Sequence, residues 1–388
     1  MVPQKILVSA GEASGDLYAA SLVGELRRRL PGADFFGCAG ARMRAAGVRQ
    51  VVDAASLSVV GLVEVVKHIP RIYMEFRRMV AAARRERPDL AILTDSPDFH
   101  LRLAPHLKAL GVPVVYLVAP QVWAWRKGRI GRIRCNTDRL LCIFPFEEDF
   151  FRSRGVSADY IGHPLTGLVK PSASRKEFFD KHGLTGDRPL VCLLPGSRRG
   201  EALRHMPALM DAVSRMERRQ AVSFVLALPA GVWQDGVADL RKRIGKLPVK
   251  IVEGETWDAI AHADVALAAS GTVTVEAALL GTPMVTFYRV TESSWFLGRR
   301  LVDVPFFSMV NLVAGRAVVV ELMQNEMRGD RLAAEALRLL EDKAARERMR
   351  RDLSEVAAKL AGAGSPIERA AAIVEQLLKA DQGVTHGA

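Results

Sequence analysis

Short aliphatic and β-branched runs alternate with helical segments along almost the whole chain, and this alternation starts twice. Continuous apolar runs occupy residues 5–10 and 90–94 in the first series and residues 190–194 and 265–269 in the second. Runs without polar alternation suit strands that are covered on both faces, which is the environment of a parallel sheet between helices. The sequence therefore predicts an α/β protein with two doubly wound domains that face a cleft.

The break between the two series follows residues 162–164 (GHP) and a polar, proline-containing segment at 170–175. We expect one domain over residues 1–165 and a second over residues 166–388, with Ala-, Leu-, Glu- and Arg-rich helices closing the second. Pro70 lies inside a helical stretch and is expected to divide it into two helices.

The chain of 388 residues is strongly basic, with 55 Lys and Arg against 43 Asp and Glu and a formal net charge of +12. Such a surface attracts anions, so nucleic acid, anionic lipid and phosphorylated substrates are the candidate partners. The basic residues are scattered over many helices without interleaved aromatic side chains, which argues against nucleic acid. The four cysteines show neither CxxC pairs nor zinc-ligand spacing, so we expect free thiols in a reducing compartment.

In the second series a strand ends at Gly196 and Ser197, and a helix is predicted from about Glu201. A helix N-terminus favours anions, and Arg198 is placed to clamp phosphate oxygens. The spacing is not that of a P-loop. A plain strand-to-helix turn with solvated arginines is the alternative.

A similar turn follows the strand at 265–269, where Gly271 precedes Thr272, the predicted helix cap, and Glu276 lies one turn further on. Because the carboxyl ends of parallel strands meet at one edge of a sheet, this turn and the previous one are expected to bind a diphosphate together. Glu276 is either a hydrogen-bond acceptor for ribose hydroxyls or a solvated helix residue.

The first strand of the chain is followed by a turn in which Gly11 and Gly15 permit close backbone approach. The spacing is not GxGxxG, so a dinucleotide site is not expected. Glu12 and Ser14 are expected near the crevice, whereas Asp16 is expected to cap the following helix.

Asp95 follows the strand at 90–94, at the strand tip where open α/β sheets place reactive groups. Pro97 suits the first helical position, so Ser96 is the predicted cap and Asp98 a first-turn acid favoured by the helix dipole. This leaves Asp95 without a structural role, and we interpret it as a general base. His100 is the weaker alternative and is expected to pack on the helix.

Residues 61–80 carry apolar side chains near helical spacing, with Lys and Arg between them. Packing against the core is the default interpretation, and a surface that dips into a membrane interface beside anionic head groups is the alternative. In the second interpretation the membrane-contacting side chains are Val63, Val66, Ile69, Ile72 and Tyr73.

Five segments, in this order and over most of the chain, resemble those of the lipid-A-disaccharide synthase family. They are residues 10–16 (AGEASGD), 122–126 (VWAWR), 194–198 (LPGSR), 269–272 (ASGT) and 311–316 (NLVAGR). The ordered set is specific, whereas no single segment is decisive.

The resemblance implies a GT-B glycosyltransferase with two Rossmann-like domains. It implies UDP-2,3-diacylglucosamine as donor, 2,3-diacylglucosamine 1-phosphate as acceptor, and the β-1,6-linked lipid A disaccharide 1-phosphate and UDP as products. It implies no metal or other cofactor, a place on the cytoplasmic face of the inner membrane of Gram-negative bacteria, and homodimers that exchange C-terminal elements. Another GT-B enzyme, either a UDP-N-acetylglucosamine transferase or a UDP-sugar epimerase, is the alternative.

The resemblance also assigns roles to particular residues. Asp95 becomes the catalytic base and Glu12 the essential glutamate of the first turn, while Ser14 and Gly15 lie near the acceptor. Val310 stands where the family pattern has proline, just before the asparagine of the last segment. The donor-binding residues expected from the motifs are Gly196, Ser197, Arg198, Gly271, Thr272, Glu276, Asn311 and Arg316.

Overall fold

The computed structural model describes residues 4–57, 62–230, 237–292, 295 and 304–385, with the backbone alone for 62–68, 237 and 381–385. The chain forms two compact units. The first contains Met1–Pro164 and Leu360–Ala388, and the second contains Leu165–Lys359.

The first unit is built on a parallel sheet of seven strands. The strands are β1 Lys5–Ala10, β2 Asp34–Ala39, β3 Arg49–Asp53, β4 Leu90–Thr94, β5 Val114–Leu117, β6 Arg139–Cys142 and β7 Ala158–Tyr160. The helices of the same stretch are α1 Ala13–Arg29, α2 Ala41–Ala45, α3 Leu62–Glu86, α4 Pro97–Lys108, α5 Ile130–Asn136 and α6 Glu147–Arg152. The strand order is β3-β2-β1-β4-β5-β6-β7.

The second unit repeats this architecture with six parallel strands. They are β8 Leu190–Leu194, β9 Ser223–Leu228, β10 Val249–Glu253, β11 Val265–Ala269, β12 Met284–Tyr288 and β13 Val320–Met323, in the order β10-β9-β8-β11-β12-β13. The helices are α7 Arg175–His182, α8 Arg199–Arg219, α9 Val237–Ile244, α10 Thr256–Ala261, α11 Thr272–Leu279, α12 Met309–Ala314, α13 Gly329–Glu341 and α14 Lys343–Ala361. The predicted α/β class with two doubly wound domains is confirmed.

In both sheets the strand order reverses beside the first strand, so that β1 lies between β2 and β4, and β8 lies between β9 and β11. β1 and β4 are almost wholly buried, as their continuous apolar sequences predict. Ala10 pairs with Thr94 in the sheet, and the segments that follow these two residues therefore emerge side by side. Open α/β sheets bind their ligands at such reversal points, outside the carboxyl ends of the strands.

The last helix, α15 (Pro366–Thr385), packs on α1 in the first unit. Arg29 Nη1 lies 3.0 Å from Glu375 Oε2, and Arg369 Nη2 donates to the Tyr160 carbonyl at 2.6 Å. The expectation that residues up to 388 close the second domain is thus wrong for α15. An apolar helix face predicts that the helix packs, but the path of the chain decides against which surface.

α3 continues through Pro70 as one helix, and the predicted division into two is wrong. Proline removes only its own backbone N–H, and the hydrogen bonds on either side of it remain available to hold the helix together. Within the ranges given above, no helix has the length and hydropathy needed to cross a bilayer.

Candidate functional site

The carboxylate of Asp95 is held by the turn that follows the neighbouring strand. Its Oδ1 accepts the Gly11 N–H at 2.8 Å, and its Oδ2 accepts the Glu12 N–H at 3.0 Å. The residue itself is partly exposed. The sequence placed Asp95 and Glu12 at two separate strand tips, and the sheet order brings them together.

Two glycines of the first turn make room for this carboxylate. A Cβ atom on Gly15 would overlap Asp95 Oδ2, and one on Gly11 would overlap Ser96 Oγ. Neither glycine has a positive φ, so close approach, and not backbone conformation, requires glycine at both positions. Gly15 therefore acts on the site by admitting the Asp95 carboxylate.

The backbone carbonyl of Asp95 is fixed from the opposite side. Tyr116 Oη donates to it at 2.5 Å, and His100 Nδ1 lies 2.9 Å away. Because Nδ1 must donate to a carbonyl, His100 Nε2 is the acceptor for Ser9 Oγ at 2.7 Å. Burial lowers the pKa of His100 to about 4, so the ring is neutral near pH 7 and positions Asp95 through its main chain.

Tyr116 and Ser9 were missed from the sequence, because both lie inside apolar strands and carry no motif. His100 is buried, as expected, but it does more than fill space.

The pKa of the Asp95 carboxyl is raised from 3.8 to about 7. Burial is the main cause, and the nearby Glu12 charge adds to it, while hydrogen bonds from Gly11, Ser96 and Glu12 oppose it. A carboxyl group with a pKa near neutrality accepts a proton from an alcohol far better than an ordinary aspartate does.

Backbone strain is concentrated at the same edge of the sheet. Asp95, Ser96, Val118 and Arg126 all have φ between 35° and 68°. A β-branched residue such as Val118 rarely adopts this conformation, which costs on the order of 1–3 kcal/mol. Such strain collects at functional sites, and here it follows β4 and β5 directly. Ser96 occupies the predicted cap position of α4, but its side chain makes no capping hydrogen bond.

Two other predicted residues have structural roles. Asp16 is buried within α1 and accepts backbone N–H groups of Gly40, Arg42 and Met43, so it caps α2 and not its own helix. Ser14 lies in the first turn of α1 and is partly exposed.

Trp123 of the VWAWR segment is buried, and its Nε1 donates to Glu147 Oε1 at 2.9 Å. Glu147 Oε2 accepts the N–H groups of Ile143 and Phe144 at 3.1 Å each. Burial raises the pKa of Glu147 to about 7. No motif marks this glutamate in the sequence, because its partners include backbone groups that only the folded turn presents.

In the second unit the turn after β8 is shaped by Gly196, whose φ is +116°. A Cβ atom there would lie 2.7 Å from Glu201 Cδ, a side chain that can move aside, so it is the positive φ that favours glycine. Ser197 and Arg198 are exposed, and Arg198 occupies the cap position of α8, which starts two residues earlier than predicted.

His205 joins two turns at this edge of the second sheet. Its Nδ1 lies 2.7 Å from the Pro195 carbonyl, and its Nε2 accepts the Arg289 N–H at 3.1 Å. Burial is the main cause that lowers the pKa of His205. A neutral ring therefore ties the turn after β8 to the turn after β12. The sequence did not reveal this residue, which lies within a helix without a motif.

The turn after β11 differs from expectation in one detail. Gly271 holds the cap position of α11, and Thr272 is its first helical residue, so the prediction that Thr272 caps the helix is wrong. Gly271 and Thr272 are exposed, and Glu276 is partly exposed one turn later. The N-termini of α8 and α11 thus follow β8 and β11, adjacent strands of one sheet.

Asn311 is almost wholly buried, and its amide is saturated by the protein. Nδ2 donates to the Val319 carbonyl and to Glu321 Oε1 at 2.9 and 2.8 Å, while Oδ1 accepts the N–H groups of Val318 and Val319 at 2.7 and 2.9 Å. This amide has no remaining donor for a substrate, so it fixes the segment that leads into β13.

Arg316 precedes β13, whereas the other predicted donor residues follow their strands. Its guanidinium pairs with Asp352 at 2.8 Å and with Glu355 at 3.1 Å, both on α14. The structure does not group Arg316 with Arg198 and Gly271. The prediction rests on the motif alone, which does not show at which end of a strand the arginine lies.

On α3 the apolar side chains divide between two faces. Ile72 packs against the core, as do Phe76 and Met79 on the same helical face. Ile69 and Tyr73 lie on another face and are each more than half exposed. The prediction that Ile72 contacts a membrane is therefore corrected, because its side chain lies on the helix face that packs against the core. The side chains of the two predicted contacts at 63 and 66 lie outside the described residues.

The fold resembles that of known nucleotide-sugar enzymes. The UDP-GlcNAc 2-epimerase from Neisseria meningitidis aligns with a TM-score of 0.64 at 14% identity, over 97% of this chain and all of that one. The calicheamicin glycosyltransferase CalG4 aligns with a TM-score of 0.59 at 17% identity, over 98% and 99%. The two sheets with their carboxyl-edge crevices have the GT-B fold of such glycosyltransferases and epimerases.

Sequence relatives define the family more closely. A family model described as lipid-A-disaccharide synthetase matches residues 6–374. The lipid-A-disaccharide synthase of Solibacter usitatus is 64% identical over 98% of this chain and 99% of its own, and that of Myxococcus xanthus is 43% identical over 97% and 98%. The chain belongs to the lipid-A-disaccharide synthase family and is a glycosyltransferase of lipid A biosynthesis.

Proposed function

We propose that the protein transfers 2,3-diacylglucosamine from UDP-2,3-diacylglucosamine to the 6-hydroxyl of 2,3-diacylglucosamine 1-phosphate, with inversion at the anomeric carbon. The observation that carries this proposal is Asp95, a carboxylate with a pKa of about 7 seated at the strand-reversal point of the first sheet. Membership of the lipid-A-disaccharide synthase family supports this choice of substrates.

An α-linked donor that yields a β-glycoside requires a single in-line displacement. The acceptor oxygen attacks the anomeric carbon, the bond from that carbon to the diphosphate breaks, and the electron pair leaves with UDP. Asp95 takes the proton of the attacking hydroxyl and later releases it to water. Glu12, beside it, raises the pKa of Asp95 and makes it a stronger base.

The second unit would hold the UDP. Negative charge that develops on the diphosphate is stabilised by the N-termini of α8 and α11, by backbone N–H groups near Ser197 and Thr272, and by Arg198. Glu276 would accept hydrogen bonds from the ribose hydroxyls. Asn311 acts as a positioning residue, since its amide is already saturated.

Arg198→Ala tests the donor half. We expect calorimetry to show UDP affinity reduced roughly tenfold or more, because hydrogen bonds to charged groups contribute about 1.5–3 kcal/mol. Arg316→Ala is the matched control, and its UDP affinity should equal that of the wild type. Equal UDP affinity in Arg198→Ala and the wild type would show that Arg198 does not bind the diphosphate.

The reaction itself is tested by thin-layer chromatography with both acylated substrates. Formation of the disaccharide phosphate and UDP is the expected result. Transfer from or epimerisation of UDP-N-acetylglucosamine, with no reaction of the acylated pair, would favour the alternative enzymes of this fold.

We further propose that the protein docks on the cytoplasmic face of the inner membrane of a Gram-negative bacterium. Ile69, Tyr73 and Met74 are exposed apolar side chains on α3, and Arg77 and Arg78 beside them are exposed cations. This combination suits an anionic bilayer surface.

Acidic replacement of Ile69 and Tyr73 should abolish flotation with anionic vesicles and leave the thermal melt unchanged. The same replacement at Ile72 should instead lower the melting temperature, because that side chain packs on the core. Unchanged flotation of the Ile69 and Tyr73 variant would refute the docking surface.

A homodimer that exchanges C-terminal elements is part of the same proposal. α15 is joined to α14 by a four-residue loop in which Gly362 and Gly364 both have positive φ, so the loop can serve as a hinge. Light scattering of the purified protein tests for the dimer.

A further inference from the structure

We propose that a basic pocket beside Asp95 binds the phosphate monoester of the acceptor, an inference that rests on the proposed function. The pocket lies between the first two turns of α4 and residues 129–132, which lead into α5 and form its first turn. Its volume is about 110 Å³. It is lined by Pro97, Asp98, Leu101, Arg102, Arg129 and Arg132.

One carboxylate organises part of this cationic pocket. Asp98 Oδ2 accepts Arg126 Nη1 at 3.1 Å, and Asp98 Oδ1 pairs with Arg129 Nη2. The ring of Trp125 lies 4.2 Å from the Arg126 guanidinium carbon and stacks against it. A guanidinium carries five N–H donors, so sharing one carboxylate leaves both arginines with donors for another oxyanion.

The remaining arginines add positive charge that no carboxylate neutralises. Arg102 and Arg132 are exposed and form no ion pair with any residue in the part of the chain described above. Three arginines therefore line the pocket with a single aspartate, which also pairs with Arg126, and the N-terminus of α4 adds further positive potential.

The size and chemistry of the pocket fit a phosphate group. Its volume equals roughly that of three or four water molecules, which suits a tetrahedral oxyanion. Arginine forks match phosphate oxygens in bidentate geometry.

The location fits the acceptor. Asp95 and Asp98 are three residues apart, so their Cα atoms lie at most about 11 Å from each other. In a hexopyranose C1 and C5 both flank the ring oxygen, so a 1-phosphate and a 6-hydroxyl both extend from the edge of the ring that carries this oxygen. One sugar can present its 6-hydroxyl to Asp95 and its phosphate to the pocket. A phospholipid head group offers the same phosphate chemistry, and the experiment below separates the two sources.

The test compares the double variant Arg102→Ala and Arg132→Ala with Arg134→Ala, an exposed arginine on α5 that does not line the pocket. The probes are short-chain 2,3-diacylglucosamine 1-phosphate and its dephosphorylated form, measured by calorimetry. We expect the wild type and Arg134→Ala to bind the phosphorylated form roughly 10–100-fold more tightly, and the double variant to lose most of that preference. The KM for the UDP-sugar should not change.

Retention of the full phosphate preference by the double variant, or absence of a preference in the wild type, would overturn the proposal. Flotation with phosphatidylglycerol vesicles distinguishes the sources. If the double variant no longer floats with the vesicles but keeps its preference for the phosphorylated acceptor, the pocket binds a lipid head group and not the acceptor. Calorimetry needs no turnover, so a wild type that forms no disaccharide refutes the proposed reaction while the binding result still decides the pocket.

Discussion

Replacing Asp95 by Asn is expected to slow the reaction and, at the same time, to remove a pH dependence from the stability of the fold. The turnover number should fall by about 10²–10⁴, since a general base typically contributes that much. In the wild type kcat/KM should rise as pH increases through about 7, where Asp95 loses its proton.

The stability effect follows from the raised pKa. The folded protein binds the Asp95 proton more tightly than the unfolded chain does, with a pKa of about 7 against 3.8. The resulting stabilisation is fully present below the unfolded pKa and is lost as pH rises through the folded one. Between pH 5 and pH 8 the wild type should lose at most about 2–3 kcal/mol through this carboxyl. The partial exposure of Asp95 makes that figure an upper bound.

Other groups titrate in the same range, Glu147 among them, whose pKa is also raised to about 7. The quantity to measure is therefore a difference: the free energies of unfolding in urea, at both pH values, for the wild type and for Asp95→Asn. Contributions common to both proteins cancel. Parallel pH profiles for the two proteins would show that Asp95 is not desolvated and would refute the base assignment on physical grounds.

Two further variants test the support of this carboxyl, and a third tests the role of Asn311 in the second unit. Gly15→Ala should reduce turnover at least tenfold, because the new Cβ displaces the Asp95 carboxylate. In the control Gly24→Ala, on the same helix, the new Cβ meets nothing within 4 Å, and stability should rise by about 0.5–1 kcal/mol. Equal turnover of the two variants in a steady-state assay would contradict the steric argument. Tyr116→Phe removes one hydrogen bond to the Asp95 carbonyl and should cost about 1 kcal/mol in chemical denaturation, with a lower kcat and an unchanged donor KM. Asn311→Ala leaves two buried N–H groups unpaired and should lower the free energy of unfolding by about 2–3 kcal/mol. Calorimetry on the folded variant should find a UDP affinity within about twofold of that of the wild type. A large loss of affinity would show that Asn311 contacts the nucleotide.

Much of the candidate site could be located before the structure was known. The sequence predicts that Asp95, Gly196 and Gly271 follow strands, because apolar runs mark where strands end, and the structure confirms those positions. In α/β proteins such positions carry reactive or phosphate-binding groups. Arg316 shows the limit of this reasoning. A motif indicates that an arginine belongs to the family pattern, but only the fold shows that Arg316 precedes β13 and pairs with Asp352 and Glu355 on α14.

The sequence by itself determined the two series of buried parallel strands, the helices between them and the identity of Asp95 as a strand-tip acid. These features depend on local composition and periodicity, which a reader of the sequence can see. Only the tertiary structure decided that β1 lies beside β4, and therefore that Gly11 and Glu12 donate to Asp95 and that its pKa approaches 7. Strand order, burial and the packing of α15 depend on contacts between residues far apart in the chain, and a single sequence does not record which distant segments meet.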